Sequence, residues 1–152
     1  MIQLEVWGDY ALFSRPELKV ERMSYDVPTP SAARGLVEAI YYHPGLCWHI
    51  DRVYVLEPIR FVSVRRNEVD SKLPATAARA AAQGSKTPLY LPSSQSIVQR
   101  ASLVLQKVHY VIEAHFTMTD RAAPGDNPGK FQDIVTGRME RGQCFHTPYF
   151  GC

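Results

Sequence analysis

The order of two hydrophobic periodicities along the chain is the feature that most constrains its fold. Residues 2–13 alternate in part between apolar and polar side chains, as strands do, whereas residues 29–43 repeat apolar side chains at helical spacing. Two long alternating runs follow, at 47–69 and 97–119, and residues 130–142 again have helical spacing. The order β-α-β-β-α-β predicts a ferredoxin-like (RRM-like) α+β domain, in which one antiparallel sheet carries two helices on one face. RNA-recognition modules share this topology.

The first helical segment has clear signals at both ends. Thr29 is suited to the N-cap, and Pro30 stands at the first helical position, where its missing N–H costs nothing. Pro44 and Gly45 stop the helix, so we expect residues 41–43 to form its last turn. The apolar positions that should face the core are Ala33, Leu36, Val37 and Ile40.

The other segments complete the predicted architecture. The run 47–69 predicts either two strands or one strand bent near Pro58, and residues 75–84 could form a short helix within a variable insertion at 70–96. Residues 143–152 should begin a last strand. Because a strand at the chain end leaves a sheet edge unfinished, we expect one domain that is the N-terminal portion of a longer protein. The expected core contacts of the second helix are Phe131, Ile134, Val135 and Met139.

Composition indicates a soluble globular protein without a targeting segment. Hydrophobic residues make up 45% of the 152 residues and charged residues 21%. The N-terminus has neither the basic region nor the apolar run of a signal peptide. The three cysteines are widely spaced, which favours a reducing, cytoplasmic setting over a zinc site or a disulfide scaffold. Phosphate-binding loops, dinucleotide fingerprints and paired-acid metal motifs are missing from the sequence, so we expect no metal ion or other cofactor.

Basic residues cluster at a few positions, and these clusters say more than the net charge of +2. Arg65 and Arg66 lie in the second half of the run 47–69. Arg138 and Arg141 precede the aromatic residues of the last segment. Basic residues interleaved with aromatic ones suit single-stranded RNA, because phosphates meet charge and bases stack on rings. Solvated strand and helix ends are the alternative. The candidate RNA-binding residues are Arg34, Arg65, Arg66, Arg138, Arg141 and His146.

Two further features are candidates for chemistry. Tyr41, Tyr42 and His43 follow one another at the end of the first helix, where one tyrosine could simply close the core. Alternatively, a tyrosine hydroxyl could orient a ribose hydroxyl, and His43 could shuttle protons. Lys130 opens the second helix, where the helix dipole disfavours a cation. It is either a solvated first-turn lysine or part of a phosphate site at that N-terminus.

The longest motifs resemble one known family. The strings VWGDYALF, YDVPTPSAARGLVEAIYYHP, IRFVSVRRNEV, VHYVIEAHF and GQCFHTPYFGC are similar to those of the type I-C (Dvulg subtype) CRISPR-associated Cas-five family of the RAMP superfamily. The resemblance runs over nearly the whole chain. Members of the family continue after the last motif with a smaller C-terminal β region. The resemblance therefore also implies that this chain is an N-terminal portion.

The resemblance implies a specific activity. A protein of this family in a type I-C system is an endoribonuclease that cuts precursor CRISPR RNA within each repeat. It needs no metal ion, because the 2′-hydroxyl attacks the adjacent phosphate and leaves a 2′,3′-cyclic phosphate. The protein then stays on the 5′ handle of the mature CRISPR RNA, as a subunit of the surveillance complex beside its backbone and large subunits.

The family's active site comprises a tyrosine, a lysine and a histidine. The tyrosine motif matches Ile40–Pro44, so the resemblance assigns its role to Tyr41. The Gly-Lys-His motif of the family reads Gly-Lys-Phe here, so Lys130 is retained and Phe131 replaces the histidine. His43 or His146 could substitute for it. The alternatives to the nuclease are a non-catalytic subunit that only holds RNA and a binder of duplex DNA.

Overall fold

The computed structural model describes residues 1–18 and 20–152, and the chain forms two compact units. The first unit consists of residues 1–62 and 103–152, and the second unit consists of residues 63–102. The strands are β1 (Ile2–Ala11), β2 (Arg22–Met23), β3 (Leu46–Val55), β4 (Phe61–Val69) and β5 (Ile97–Met118). The helices are α1 (Pro30–Ile40), α2 (Ala75–Ala82) and α3 (Pro128–Glu140), and a 3₁₀ turn covers Ser93–Gln95.

The long strand β5 organises the sheet, because each of the other four strands pairs with it. Its pairings with β1 and β3 are antiparallel and place Ile2 and Ile50 opposite Ala114. The run 47–69 forms two strands, which is one of the two predicted alternatives. The predicted long run at 97–119 is confirmed, since its alternation gives one face to the core and the other to solvent.

The two main helices cover the same face of the sheet. Leu36 and Val37 of α1 share one buried cluster with Val135 of α3 and with the sheet residues Trp48 and Ile112. The predicted core positions of α1 are all buried, and Phe131 and Val135 are the buried positions of α3. Two helices on one face of an antiparallel sheet were expected from the sequence. None of the helices in the described part of the chain is both long and apolar enough to cross a bilayer.

The end of α1 differs from the prediction. Its start is as predicted, because the Thr29 hydroxyl accepts the N–H of Ala32 at 3.2 Å. The helix ends at Ile40, however, and Tyr41 is already extended with φ −146° and ψ 117°. A side chain of the next strand holds the chain there: Trp48 Nε1 of β3 donates to the Tyr41 carbonyl at 3.0 Å. Residues 41–43 therefore follow the helix rather than form its last turn.

The predicted last strand at 143–152 is wrong. The backbone amides of Phe145 and His146 both donate to the carbonyl of Ala39 at 2.9 Å, so the segment crosses the end of α1. One hydrogen bond then joins it to the chain beyond β1, from Leu12 N to Phe150 O at 2.7 Å. Because these amides serve the end of a helix, they are not available for a strand ladder.

The second unit contains the predicted insertion. A hydrogen bond from Asp70 N to Ser96 O, 3.0 Å long, closes the base of the segment 70–96. The predicted short helix is confirmed as α2, none of whose residues is buried. That 70–96 is a variable insertion in one domain stays a prediction.

Candidate active site

Three segments of the first unit meet at one corner of the molecule. We call it the α1–α3 corner and define it by Tyr41, His43, Asp126, Lys130 and Arg138. The two aromatic groups follow α1, Asp126 lies in the loop before α3, and the two basic residues lie near opposite ends of α3. Four of these five residues, all but Asp126, were candidates from separate segments of the sequence.

Tyr41 lies mostly inside the core, with 8% of its surface exposed. Its ring packs against Phe131 at a centroid distance of 6.2 Å, and the Arg138 guanidinium lies 5.1 Å above it. Among the described residues its hydroxyl has no hydrogen-bond partner, yet the oxygen is not one of the fully buried unpaired atoms. The hydroxyl therefore reaches solvent at the edge of the core.

The environment of Tyr41 sets its protonation state. Burial raises the pKa of its hydroxyl above the usual 10, and nearby Arg138 and Lys130 counteract this only in part. At neutral pH the group is thus a neutral phenol. It can donate a hydrogen bond to an incoming oxygen, but it is a poor proton acceptor.

Lys130 is fixed at both its backbone and its side chain. Its N–H donates to Asn127 Oδ1 at 2.9 Å, which caps α3, and its ammonium lies 2.7 Å from Asp126 Oδ1. Asp126 raises the pKa of Lys130, so the side chain stays charged. The mismatch between this cation and the helix dipole is therefore offset by Asp126. A solvated first-turn lysine and a phosphate site at this N-terminus were the two alternatives that the sequence left open.

His43 is held in place by the turn after α1. Its Nδ1 accepts the N–H of Gly45 at 3.0 Å, so the neutral ring carries its proton on Nε2. Gly45 is required at this point, because a Cβ there would lie 2.9 Å from Ala122 Cα. The imidazole rests on the ring of Phe131 at 4.9 Å between centroids. It thus lies beside the residue that stands where the family has its histidine.

Of the candidate RNA-binding residues, Arg138 is the one that helps to build the corner. Its Nη1 donates to the carbonyl of Ile40 at 2.9 Å, which caps the end of α1. Arg141 is exposed and lies 3.4 Å from the Gln143 side chain, and His146 is exposed beside Phe145.

The other candidates lie elsewhere and have different surroundings. Arg34 of α1 is paired with Glu38 at 2.7 Å, one turn along the same helix. Arg65 and Arg66 belong to the second unit, on opposite faces of β4. Arg65 is exposed, whereas Arg66 lies 2.6 Å from Glu68. Within the described residues no group of three or more His, Cys, Asp or Glu side chains could hold a metal ion.

Comparisons with known proteins identify the family of the chain. The profile of the family described as Cas5d, CRISPR-associated protein (Cas_Cas5), matches residues 1–152. The chain belongs to the Cas5d family. It is 49% identical over 151 residues to the CRISPR pre-crRNA endoribonuclease Cas5d of Mannheimia succiniciproducens, a match that covers 99% of this chain and 67% of that protein. It is 41% identical over 150 residues to the protein of the same name from Thermus thermophilus, covering 99% of this chain and 59% of that protein.

A solved structure supports the fold. The crystal structure of a CRISPR-associated protein superposes with a TM-score of 0.63 at 25% identity, over 99% of this chain and 60% of that one. The predicted ferredoxin-like α+β class and the predicted Cas5d family are both confirmed. The chain spans about three fifths to two thirds of the length of these relatives.

Sequence reasoning missed one member of the corner in this Cas5d-family chain. Asp126 was passed over as part of a loop, although it stands four residues before Lys130. A carboxylate at this spacing from a lysine is a recognised pairing signal when a helix begins between them. The capping role of Arg138 had no local signal, because its partner Ile40 is 98 residues away.

Proposed function

We propose that this chain carries the catalytic corner of a metal-independent endoribonuclease that cuts precursor CRISPR RNA within the repeat. The relatives bear the name pre-crRNA endoribonuclease. The observation that carries the proposal is that Phe131, the residue next to Lys130, packs against the rings of both Tyr41 and His43, at 6.2 and 4.9 Å between centroids.

The geometry fits cleavage by the 2′-hydroxyl of the RNA itself. In this reaction the 2′-hydroxyl gives its proton to solvent water as its oxygen attacks the adjacent phosphorus. The bond to the 5′-oxygen breaks and that oxygen takes up a proton, so that a 2′,3′-cyclic phosphate and a 5′-hydroxyl remain. Lys130 supplies a fixed positive charge for the pentacoordinate phosphorane. Tyr41, as a neutral phenol, aligns the reacting oxygen rather than removing its proton.

His43 is the proposed proton donor. Phe131 is 1% exposed and cannot donate a proton, but its ring packs against the imidazole of His43. To donate a proton as an imidazolium, His43 must give up the hydrogen bond that Nδ1 accepts from Gly45. This requirement predicts slow proton transfer. The proposed retention of the cleaved 5′ handle predicts, separately, an enzyme that is nearly single-turnover. His146 is the alternative donor.

The test is cleavage of a synthetic CRISPR repeat RNA from the organism that encodes the chain, in EDTA. We expect cleavage by the wild-type chain and a loss of about 10²-fold or more in Tyr41→Phe and Lys130→Ala. Tyr54→Phe is the matched control, since Tyr54 is exposed on β3, and it should cleave at the wild-type rate. Cleavage that needs a divalent cation, or that survives both corner substitutions, would refute the proposal.

A second candidate function is a subunit that only holds the RNA. One observation favours it: Phe131 stands at the family's histidine position. Tight binding of the repeat RNA without cleavage would support this function.

The proposed partners follow from the same role. We propose that the protein keeps the 5′ handle of mature CRISPR RNA within a cytoplasmic surveillance complex, together with its backbone and large subunits. Duplex DNA is a further proposed partner, with the exposed Arg65 of β4 as its contact. DNA retention that falls steeply with salt, and that Arg65→Gln weakens, would support this.

A further inference from the structure

The carboxylate of Asp126 is a hydrogen-bonded polar group of the α1–α3 corner that the proposed chemistry does not use. Its side chain is 4% exposed, and its two oxygens have different partners. Oδ2 accepts the N–H of Ala123 at 2.8 Å, while Oδ1 accepts the Lys130 ammonium at 2.7 Å. The backbone N–H of Asp126 also donates to the Ala123 carbonyl at 3.0 Å, so a tight turn fixes the carboxylate.

This turn is tied to α3 on its other side. Asn127 follows Asp126 directly and caps the helix through Lys130 N, so the backbone of Lys130 is held as well as its ammonium. A lysine with 51% of its side chain exposed would otherwise sample many rotamers. The turn therefore fixes the position of the ammonium before any RNA binds.

We propose that Asp126 is a positioning residue of the Cas5d-family active site, one that holds the Lys130 ammonium at the scissile phosphate and does not itself touch the RNA. This inference rests on the proposed function. Lys130 and His43 are the charged or titratable groups that act directly on Asp126, and Asp126 in turn acts on Tyr41, over which Arg138 lies. One carboxylate thus pairs with Lys130 and also acts on Tyr41.

The negative charge of Asp126 should affect RNA binding and the cleavage rate differently, which distinguishes a positioning residue from a purely structural ion pair. A carboxylate beside a phosphate-binding lysine repels the RNA, so removal of its charge should not weaken binding. Positioning, in contrast, acts on the rate, since a misplacement of about 1 Å can cost about 100-fold. Asp126→Asn should therefore lower the rate of cleavage without raising the Kd for RNA.

The experiment measures both quantities on the wild-type chain, Asp126→Asn and the control Asp133→Asn. Asp133 is an exposed residue of α3, so the control makes the same change of charge on the same helix. Single-turnover cleavage of the repeat RNA gives the rate. Binding of the same RNA with a 2′-deoxy nucleotide at the mapped cleavage position gives the Kd. We expect Asp126→Asn to cleave about 10- to 100-fold more slowly, with a Kd equal to or lower than that of the wild type.

The pH profile supplies a readout that loss of folding would not give. Asp126 raises the pKa values of Lys130 and Tyr41, so without its charge activity should be lost at a lower alkaline pH. If Asp126→Asn has the same cleavage rate and pH profile as Asp133→Asn, the inference is overturned, but the proposed nuclease activity is not. If the wild type does not cleave at all, the proposed function fails first. Thermal unfolding of each variant identifies a rate loss that is due to misfolding, and Asp126→Glu then repeats the test with the charge retained.

Discussion

The substitution Arg138→Gln tests whether Arg138 stabilises the α1–α3 corner or binds RNA. Its guanidinium makes a charge-assisted hydrogen bond of 2.9 Å to the Ile40 carbonyl, and it lies 5.1 Å from the centre of the Tyr41 ring. A hydrogen bond to a charged group contributes about 1.5–3 kcal/mol, and a cation–π contact about 0.5–1 kcal/mol. Because water can reach the carbonyl once the side chain is shortened, we take the lower part of the combined range. The expected loss is about 2 kcal/mol in the free energy of unfolding.

Urea denaturation followed by circular dichroism measures this loss directly. The slope of the unfolding free energy against urea concentration (the m-value) should stay unchanged. For a chain of about 150 residues, the same loss lowers Tm by about 4–8 °C. Arg141→Gln is the matched control, because Arg141 is exposed just beyond α3, and its effect should stay within about 0.5 kcal/mol. If Arg138→Gln is as stable as the control but binds repeat RNA more weakly, the capping role is refuted. Arg138 would then be the RNA ligand that the sequence had indicated.

Three further predictions address the surroundings of the corner. Phe131→His, which restores the family's residue, should destabilise the protein by about 1–3 kcal/mol in urea denaturation, because it places an unpaired polar ring at a position that is 1% exposed; an equally stable variant would contradict this. Gly45→Ala should lower Tm and slow cleavage, since its Cβ would meet Ala122 Cα at 2.9 Å; Gly35→Ala, where nothing lies within 4 Å, is the control and should do neither. Lys130 holds the pKa of Asp126 below its usual value, so the stability that Asp126 contributes is present above a pH of about 4 and is lost as the pH falls through its folded pKa. The difference in stability between the wild type and Asp126→Asn should therefore disappear in acid, and a difference that persists there would argue against the ion pair.

Local patterns predicted those parts of the fold that local physics controls. The core face of α1 follows from apolar residues at helical spacing, and its N-terminus follows from Thr29, whose hydroxyl needs a partner only three residues away. The long strand β5 follows from alternation over 22 residues. In each of these cases the sequence signal is local, although β5 itself forms through pairing with strands that are distant in the sequence.

Distant contacts decided the features that the sequence left out. The side chain of Arg138 donates a hydrogen bond to the Ile40 carbonyl, and that of Trp48 donates one to the Tyr41 carbonyl. The helix α1 therefore ends before Pro44. In the last segment, 143–152, two backbone amides donate to the Ala39 carbonyl, and the segment forms no strand. At the candidate site, Tyr41 and Lys130 were candidates from their own segments and from the family resemblance, but their meeting at one corner required the packing of α1 against α3. Asp126 is the exception, since its spacing to Lys130 was visible in the sequence.

The central claim is that the corner cleaves RNA through the ribose 2′-hydroxyl, and a single atom of the substrate tests it. Two repeat RNAs are compared in EDTA under single-turnover conditions, one unmodified and one with a 2′-deoxy nucleotide at the mapped cleavage position. The account predicts that the unmodified RNA yields a 2′,3′-cyclic phosphate end, and that the 2′-deoxy RNA binds equally well but stays intact. Cleavage of the 2′-deoxy RNA at the same position would contradict it.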